Sequence, residues 1–328
     1  MKNKKIILTV TILIMALFLC LLSCQKAEPP KLLKAKWGGP RNISMAPIIA
    51  DKKEFFKKEG LDVESLYIQT GKVAMDALIS GDIDFAVIVE TNVAFIKYQQ
   101  GANIEIICSI EDKYDDAIVV RKDKGIQSPE DLKGKTIAVT TGTTSHVYAY
   151  RFLAHNGLEK DVSFMNLTPL SIQASLLTGD IVAGSIWQPY RYNVLNQLKD
   201  KTIEFNDTSV YKAYAVVAVR KKYAQNHSEE IKRFLKALIK AEDHIRTHSD
   251  EAIAVLAQEL KLEKDLLKAI WHEYDIAIRL EPGLLKTIKQ EGKWIKETQN
   301  GFGDKLTPSY DDVINPAFLK SIAPERVN

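Results

Sequence analysis

Leu78-Ile79-Ser80-Gly81-Asp82-Ile83 returns nearly type for type as Leu176-Leu177-Thr178-Gly179-Asp180-Ile181. Glu59-Gly60-Leu61-Asp62-Val63 has a looser echo in Asn156-Gly157-Leu158-Glu159-Lys160-Asp161-Val162. The offsets agree, 97 from Gly60 to Gly157 and 98 from Gly81 to Gly179. Each glycine stands where an apolar helical run stops, at a turn through the left-handed region that glycine enters without steric cost. Glycine after a helix is common in any α/β chain; two landmarks at nearly one offset are what set these apart. A period this long is no solenoid and predicts two lobes of similar build.

The flanking patterns alternate. Strands are predicted over 33–37, 62–68, 85–89, 104–110, 116–121, 135–140, 182–187 and 214–220. Helices are predicted over 47–60, 73–80 and 91–100, and one is predicted to open after Thr141-Gly142-Thr143-Thr144-Ser145. Strand-helix alternation argues for parallel α/β sheets. Ser128-Pro129-Glu130-Asp131 reads as a capped helix start, with Asp131 completing a capping box. Beyond Asn226 and Glu229, read as a capping pair, Ile231, Phe234, Leu235, Leu238, Ile239 and Ile245 form one apolar stripe. Further helices are expected over 251–260, 264–276 and 282–298.

The N-terminus has a different composition. Lys2, Lys4 and Lys5 precede an apolar stretch from Ile6 to Leu22, the layout of an export signal. Leu21-Leu22-Ser23-Cys24 resembles a lipobox, which implies a signal over 1–23, a lipidated Cys24 and a tether over 24–32; the alternative is a plain membrane anchor. Gln25, rather than Asp, resembles the pattern of outer-membrane lipoproteins in double-membraned cells. Removing the three signal lysines brings 45 basic residues to 42, equal to the 42 acidic ones, so nothing points to a nucleic-acid partner. With Cys20 lost and Cys24 lipidated, Cys108 is left alone in an apolar run, and no internal disulfide is available.

Several segments resemble the sulfonate/nitrate/taurine-type solute-binding proteins, within the thiamine-pyrimidine-synthase-like superfamily. Ser128-Pro129-Glu130-Asp131-Leu132-Lys133-Gly134-Lys135-Thr136-Ile137-Ala138-Val139 is similar to the start of that family's second lobe. Met45-Ala46-Pro47 and Phe55 to Leu61 are similar to its first helix, and Glu90-Thr91-Asn92 resembles its Glu-Thr-Pro turn. Thr141 to Thr144, Asn166, Pro169 and Trp187-Gln188-Pro189 follow in the family's order. Val182 departs from an Asp that is frequent there, as in Asp84 of the first repeat. The resemblance implies an α/β, two-lobed periplasmic-binding-protein fold of the second type, with the ligand cleft between lobes that close by hinge bending. Lobe one is expected over 33–120 and 217–328, lobe two over 121–216. It further implies an ABC transporter substrate-binding protein, membrane-anchored through its lipid, monomeric, and partnered by a permease and its ATPase.

Candidate ligand contacts follow from the loops. Thr141, Gly142, Thr143 and Thr144 leave a strand and open a helix, whose free N–H groups suit an anion. Ser44 with Met45, and Gly71, stand in similar loops; the alternative role of the hydroxyls is to cap their helices. Glu90 and Thr91 follow the run Phe85–Val89. Glu90 either pairs with a ligand amine or ring N–H, or stabilises the next helix N-terminus. Trp37, Trp187 and Tyr214 are candidate apolar walls. His244 and His248 are four apart but lack a third ligand, so no metal and no cofactor is expected. A small polar or anionic cargo (sulfonate, taurine, nitrate or related) remains open beside a pyrimidine or other heterocycle. A sensor and an enzyme on the same scaffold are the other readings; the Cys-rich iron motif of the pyrimidine-making relatives is absent.

Overall fold

The computed structural model describes residues 32–100, 103–299 and 302–328. The expected signal and Cys24 lie outside these residues, as does the tether up to residue 31. No helix among the described residues is long and apolar enough to cross a membrane.

The chain first lays down β1 (Leu33–Gly39), α1 (Met45–Lys52), α2 (Phe55–Lys58), β2 (Leu61–Tyr67), α3 (Gly71–Ser80), β3 (Phe85–Val89), α4 (Glu90–Gln100) and β4 (Ile104–Lys113). The single helix expected over 47–60 is two, because Glu54 turns through φ 56° between them. Residues 114–116 then carry the chain into a second sheet. There β5 (Ala117–Arg121), β6 (Thr136–Val139), α5 (Thr144–His155), β7 (Ser163–Asn166), α6 (Pro169–Thr178), β8 (Ala183–Ile186), α7 (Tyr190–Leu198) and β9 (Thr202–Phe205) follow in turn. Residues 206–212 return it to β10 (Ala213–Arg220), then to α8 (Lys221–Asn226), α9 (Ser228–Thr247), α10 (Ser249–Leu260), α11 (Lys264–Ile270), β11 (Tyr274–Asp275), α12 (Pro282–Thr298) and α13 (Ala317–Ile322).

The strand orders are β11-β4-β10-β3-β1-β2 and β7-β6-β8-β5-β9. Within them β10-β3-β1-β2 and β5-β8-β6-β7 are one arrangement built twice. In each, an antiparallel strand, last in the chain in the first sheet (β10) and first in the second (β5), flanks three parallel strands joined by crossovers. The sequence repeat is therefore a structural one. Gly60, Gly81, Gly157 and Gly179 all take left-handed φ values, between 70° and 94°. At the two helix ends Ser80 Oγ donates to Asp82 and Thr178 Oγ1 donates to Asp180, each at 2.6 Å. Arg220 caps the carbonyl of Leu78 and Arg121 caps that of Leu176. The Val182 departure has a local answer: Arg220 leans on Asp84, whereas Arg121 pairs with Asp123.

The sheets divide the chain a few residues away from the expected lobe limits. Ala117–Val120 belong to the second sheet and Ala213–Val216 to the first, because β5 and β10 pair along their whole lengths. The helix expected to reach 276 stops at Ile270, and the chain then adds β11 to the first sheet. The capping pair shifts too. Helix α9 begins at Ser228, and His227 rather than Asn226 stands at its cap, near Glu230. Its apolar stripe enters the lobe-one core, where Phe234 stacks on Phe85 with ring centroids 4.0 Å apart.

Candidate functional site

The two sheets meet where the chain crosses between them. A narrow crevice there, too tight to admit a water molecule, is lined by Lys113, Tyr114, Asp116, Tyr148, Asn206, Thr208 and Tyr211. Two of its walls are the crossovers themselves, 114–116 and 206–212. Tyr148 comes from α5 in lobe two, and its hydroxyl is engaged with Phe205 O and Asp207 N. This agrees with the tendency of open α/β sheets to bind ligands beyond their strand ends.

Carboxylates dominate this region. Glu90 follows β3 directly and is fully buried. Its Oε1 accepts from the Tyr211 hydroxyl, and its Oε2 accepts from Tyr214 N–H at 2.8 Å. Glu291 of α12 is also fully buried and accepts from Thr91 Oγ1 at 2.9 Å, while the Tyr211 hydroxyl lies 3.0 Å from it. Tyr211 thus stands between two carboxylates, with the Arg151 guanidinium 4.9 Å from its ring centre. Burial raises both carboxylates above the usual range, against the hydrogen bonds that favour their charged forms.

Asp116 sits in the first crossover with 5% of its surface exposed. Burial and then the Asp115 charge push its pKa up to about 7, while Lys113 and a Thr144 hydrogen bond work the other way. Lys113 is held 3.1 Å from Asp115, both of them buried. Buried acceptors without a hydrogen-bond partner include Asp116 Oδ1, Glu291 Oε2 and both oxygens of Glu111, and the Arg151 Nη2 donor is likewise unpartnered.

The predicted contacts scatter. Glu90 and Thr91 join this network, and Thr144 meets Asp116. Trp37 does not form a wall: it is fully buried in the lobe-one core, edge-on to Tyr67. Met45 is likewise core, and the Ser44 hydroxyl donates to Pro40 O at 2.7 Å. Gly71 is a close-packing position, since a Cβ there would lie 2.2 Å from Asn92 Oδ1. That same oxygen accepts from Val89 N–H, which gives Asn92 a role proline lacks. Tyr214 offers Glu90 its backbone N–H and sends its hydroxyl to Glu281. Trp187 is half-buried, edge-on to Tyr190.

The Thr141–Thr144 loop faces lobe one: a Cβ on Gly142 would lie 3.5 Å from Phe95, and His146 packs edge-on to Trp294. Three of its donors are engaged inside the protein, whereas the Thr143 and Thr144 N–H groups at the helix N-terminus have no hydrogen-bond acceptor there. Thr141 N–H goes to Asn166, Gly142 N–H to His146 Nδ1 and the Thr143 hydroxyl to Thr140 O.

Sequence reasoning missed Asp116, Tyr211, Glu291 and Lys113. A signal for one existed: Glu291 lies in register with Leu284, Ile288 and Ile295, a charged residue on the buried stripe of its helix. Asp116 was read as the first residue of the strand expected over 116–121, whereas it stands in the crossover just before β5.

Relatives agree with this architecture. A Bacillus subtilis protein provisionally named an aliphatic sulfonates-binding protein is 27% identical over 277 residues, covering 82% of each chain. The taurine-binding periplasmic protein of Escherichia coli is 32% identical over 193 residues, 57% of this chain and 59% of its own. In structure, the periplasmic aliphatic sulphonate binding protein of Escherichia coli superposes with a TM-score of 0.72 at 21% identity, over 82% of this chain and 93% of that one. The family model described as NMT1/THI5 like matches residues 42–252, and the chain belongs to that family.

Proposed function

We propose that this protein is the extracytoplasmic solute-binding component of an ABC importer, which binds a small molecule between its lobes and delivers it to a permease with its ATPase. The observation that carries the reading is the crevice at the double crossover, walled by both lobes and by the two segments that connect them. Such a site opens and closes by bending at 114–116 and 206–212, which binds a solute and releases it without chemistry. The sulfonate- and taurine-binding names of the relatives support a small-molecule cargo. No group of three or more potential metal ligands occurs among the described residues. The protein acts as a monomer, held to the extracytoplasmic face by lipid on Cys24.

Two experiments test this. A thermal-shift panel of sulfonates, amines, nitrate and aminopyrimidines is expected to yield one saturable class, because a ligand of the folded state raises its melting temperature by mass action. Deleting the gene is expected to abolish uptake of that class; unchanged uptake would refute the transport role. For the anchor, Cys24→Ala is expected to abolish palmitate labelling and move the protein out of the lipid-anchored membrane fraction.

A further inference from the structure

Two seams hold the lobes against each other. At the first, α5 of lobe two meets α12 of lobe one. His146 stands edge-on to Trp294 with ring centroids 5.0 Å apart, and the Tyr150 ring lies 6.5 Å from the same indole. Trp294 is 4% exposed in that setting. The second seam is ionic and lies beside the first crossover. Arg191 stands in the first turn of α7 in lobe two, and Glu273 immediately precedes β11 of lobe one. Arg191 Nη2 donates to Glu273 Oε1 at 2.5 Å, and Gln188 Nε2, also of lobe two, donates to that same oxygen at 2.9 Å. Arg191 Nη1 donates to Asp115 O, inside the crossover, at 3.0 Å. Its Nε lies 3.3 Å from Glu204 Oε2 on β9, the strand that feeds the second crossover. One guanidinium thus touches lobe one, one crossover and the root of the other.

Arg191, Gln188 and Glu273 are all buried. A guanidinium cannot shed its proton, so a buried one needs acceptors wherever it stands. A buried ion pair adds little to the stability of a fold compared with apolar packing, but losing one partner leaves the other as an uncompensated charge. Water relieves such a charge, and water reaches this one when the seam parts. The pair therefore discriminates between arrangements of the lobes. Its geometry is complete in this one, where the crevice is too tight to admit water. Glu204 is different in kind. It belongs to lobe two with Arg191, so a movement between the lobes leaves that contact in place.

Resting on the hinge bending described above and on no particular cargo, we infer that Arg191 and Glu273 form a latch beside the hinge, which biases the lobes toward the closed arrangement before any ligand binds. Arg191 is a positioning residue in this device and acts on the site through the angle between the lobes. Gln188 supports it by holding the same carboxylate oxygen from lobe two. The two seams open together, because each lobe moves as a packed body.

The test is acrylamide quenching of Trp294 fluorescence in the purified full-length protein, without ligand and at neutral pH. The Trp294 share of the signal is the difference between each protein and its Trp294→Phe counterpart. Glu273→Gln is expected to raise the quenching constant of that share about threefold, as the population shifts toward parted lobes, while the unfolding transition stays cooperative. Arg191→Lys is a second variant that keeps the charge; one ammonium cannot serve Asp115 O, Glu204 and Glu273 together, so a rise in the same direction is expected. Glu204→Gln removes a partner of the same arginine within one lobe and is expected to leave the quenching of Trp294 unchanged. Quenching in Glu273→Gln and Arg191→Lys equal to that of the parent overturns the inference. So does an equal rise with Glu204→Gln, which would make Arg191 a brace of lobe two alone. Should Glu273→Gln fail to fold, Arg191→Lys against Glu204→Gln decides the matter by the same readout. The receptor reading is judged separately, by the thermal-shift panel, which uses none of these variants.

Discussion

Asp116 and its neighbours carry a pH signature that needs no ligand to measure. In the unfolded chain its carboxyl ionises near the ordinary value of 3.8, whereas in the fold it titrates at about 7. Glu111, raised by burial against the pull of Lys113, titrates at about 8. The native state thus holds more protons than the unfolded one until both groups ionise, so stability falls as pH rises through that range. His146 works the other way: burial lowers it to about 4, which makes stability rise with pH up to the ordinary histidine value of 6.5. The window from about pH 6.5 to 8 isolates the carboxylates. The groups around Asp116 there are Asp115, Lys113, Glu90 and Thr144, and those around Glu111 are Lys113, Asp115 and Asp112. Urea unfolding across this window is expected to show declining stability, at most about 1.4 kcal/mol per pH unit for each extra proton held. Asp116→Asn is expected to flatten the decline. A slope unchanged by that substitution would mean that Asp116 is ionised throughout.

At the scale of the element, the two helix ends of the repeat make an internal comparison. Gly81 and Gly179 share a left-handed φ, at 94° and 83°, so alanine at either is strained whatever the space around it. Their surroundings differ. A Cβ at Gly81 would lie 3.9 Å from the Arg220 guanidinium, whereas one at Gly179 would lie 3.0 Å from Arg121 Nη1. Arg121 is also bonded to Leu176 O and to Asp123, which leaves it little freedom to move aside. Gly81→Ala is expected to destabilise by about 1 kcal/mol and Gly179→Ala by more, as read from chemical denaturation midpoints. Equal losses would show that backbone strain alone sets the cost. Phe234 offers a larger effect of a different origin. It is fully buried and stacks on both Phe85 and Phe56, so Phe234→Ala is expected to cost about 3–5 kcal/mol through the cavity left behind.

For the whole molecule, function depends on two similar lobes being joined twice. Ligand binding is linked to folding, so a cargo at one hundred times its dissociation constant is expected to add about 2.7 kcal/mol of stability. The same addition is expected to lower the radius of gyration in small-angle scattering if the lobes bend about the crossovers. Stabilisation with no change in the profile would mean that the lobes are already closed around the site without ligand.

The duplicated architecture was readable from one dimension because it rests on local chemistry: glycine ends a helix at a left-handed turn, and apolar periodicity separates strand from helix. The strands β7 and β9 were not readable, since each is a four-residue sheet edge with polar, partly exposed positions that lack a sustained alternation. At the site, Glu90 was legible as a carboxylate at a strand end, but its partners were not. Tyr211, Tyr214 and Glu291 are 121, 124 and 201 residues away in sequence, and only the return of β10 beside β3 together with the packing of α12 on α4 brings them to it. Sequence by itself determined the lobes and their turns, because those follow from steric preference and hydrophobic pattern within a few residues. Which polar groups remain unsatisfied was decided by tertiary structure alone, since a donor or acceptor is free only after every distant partner has been placed.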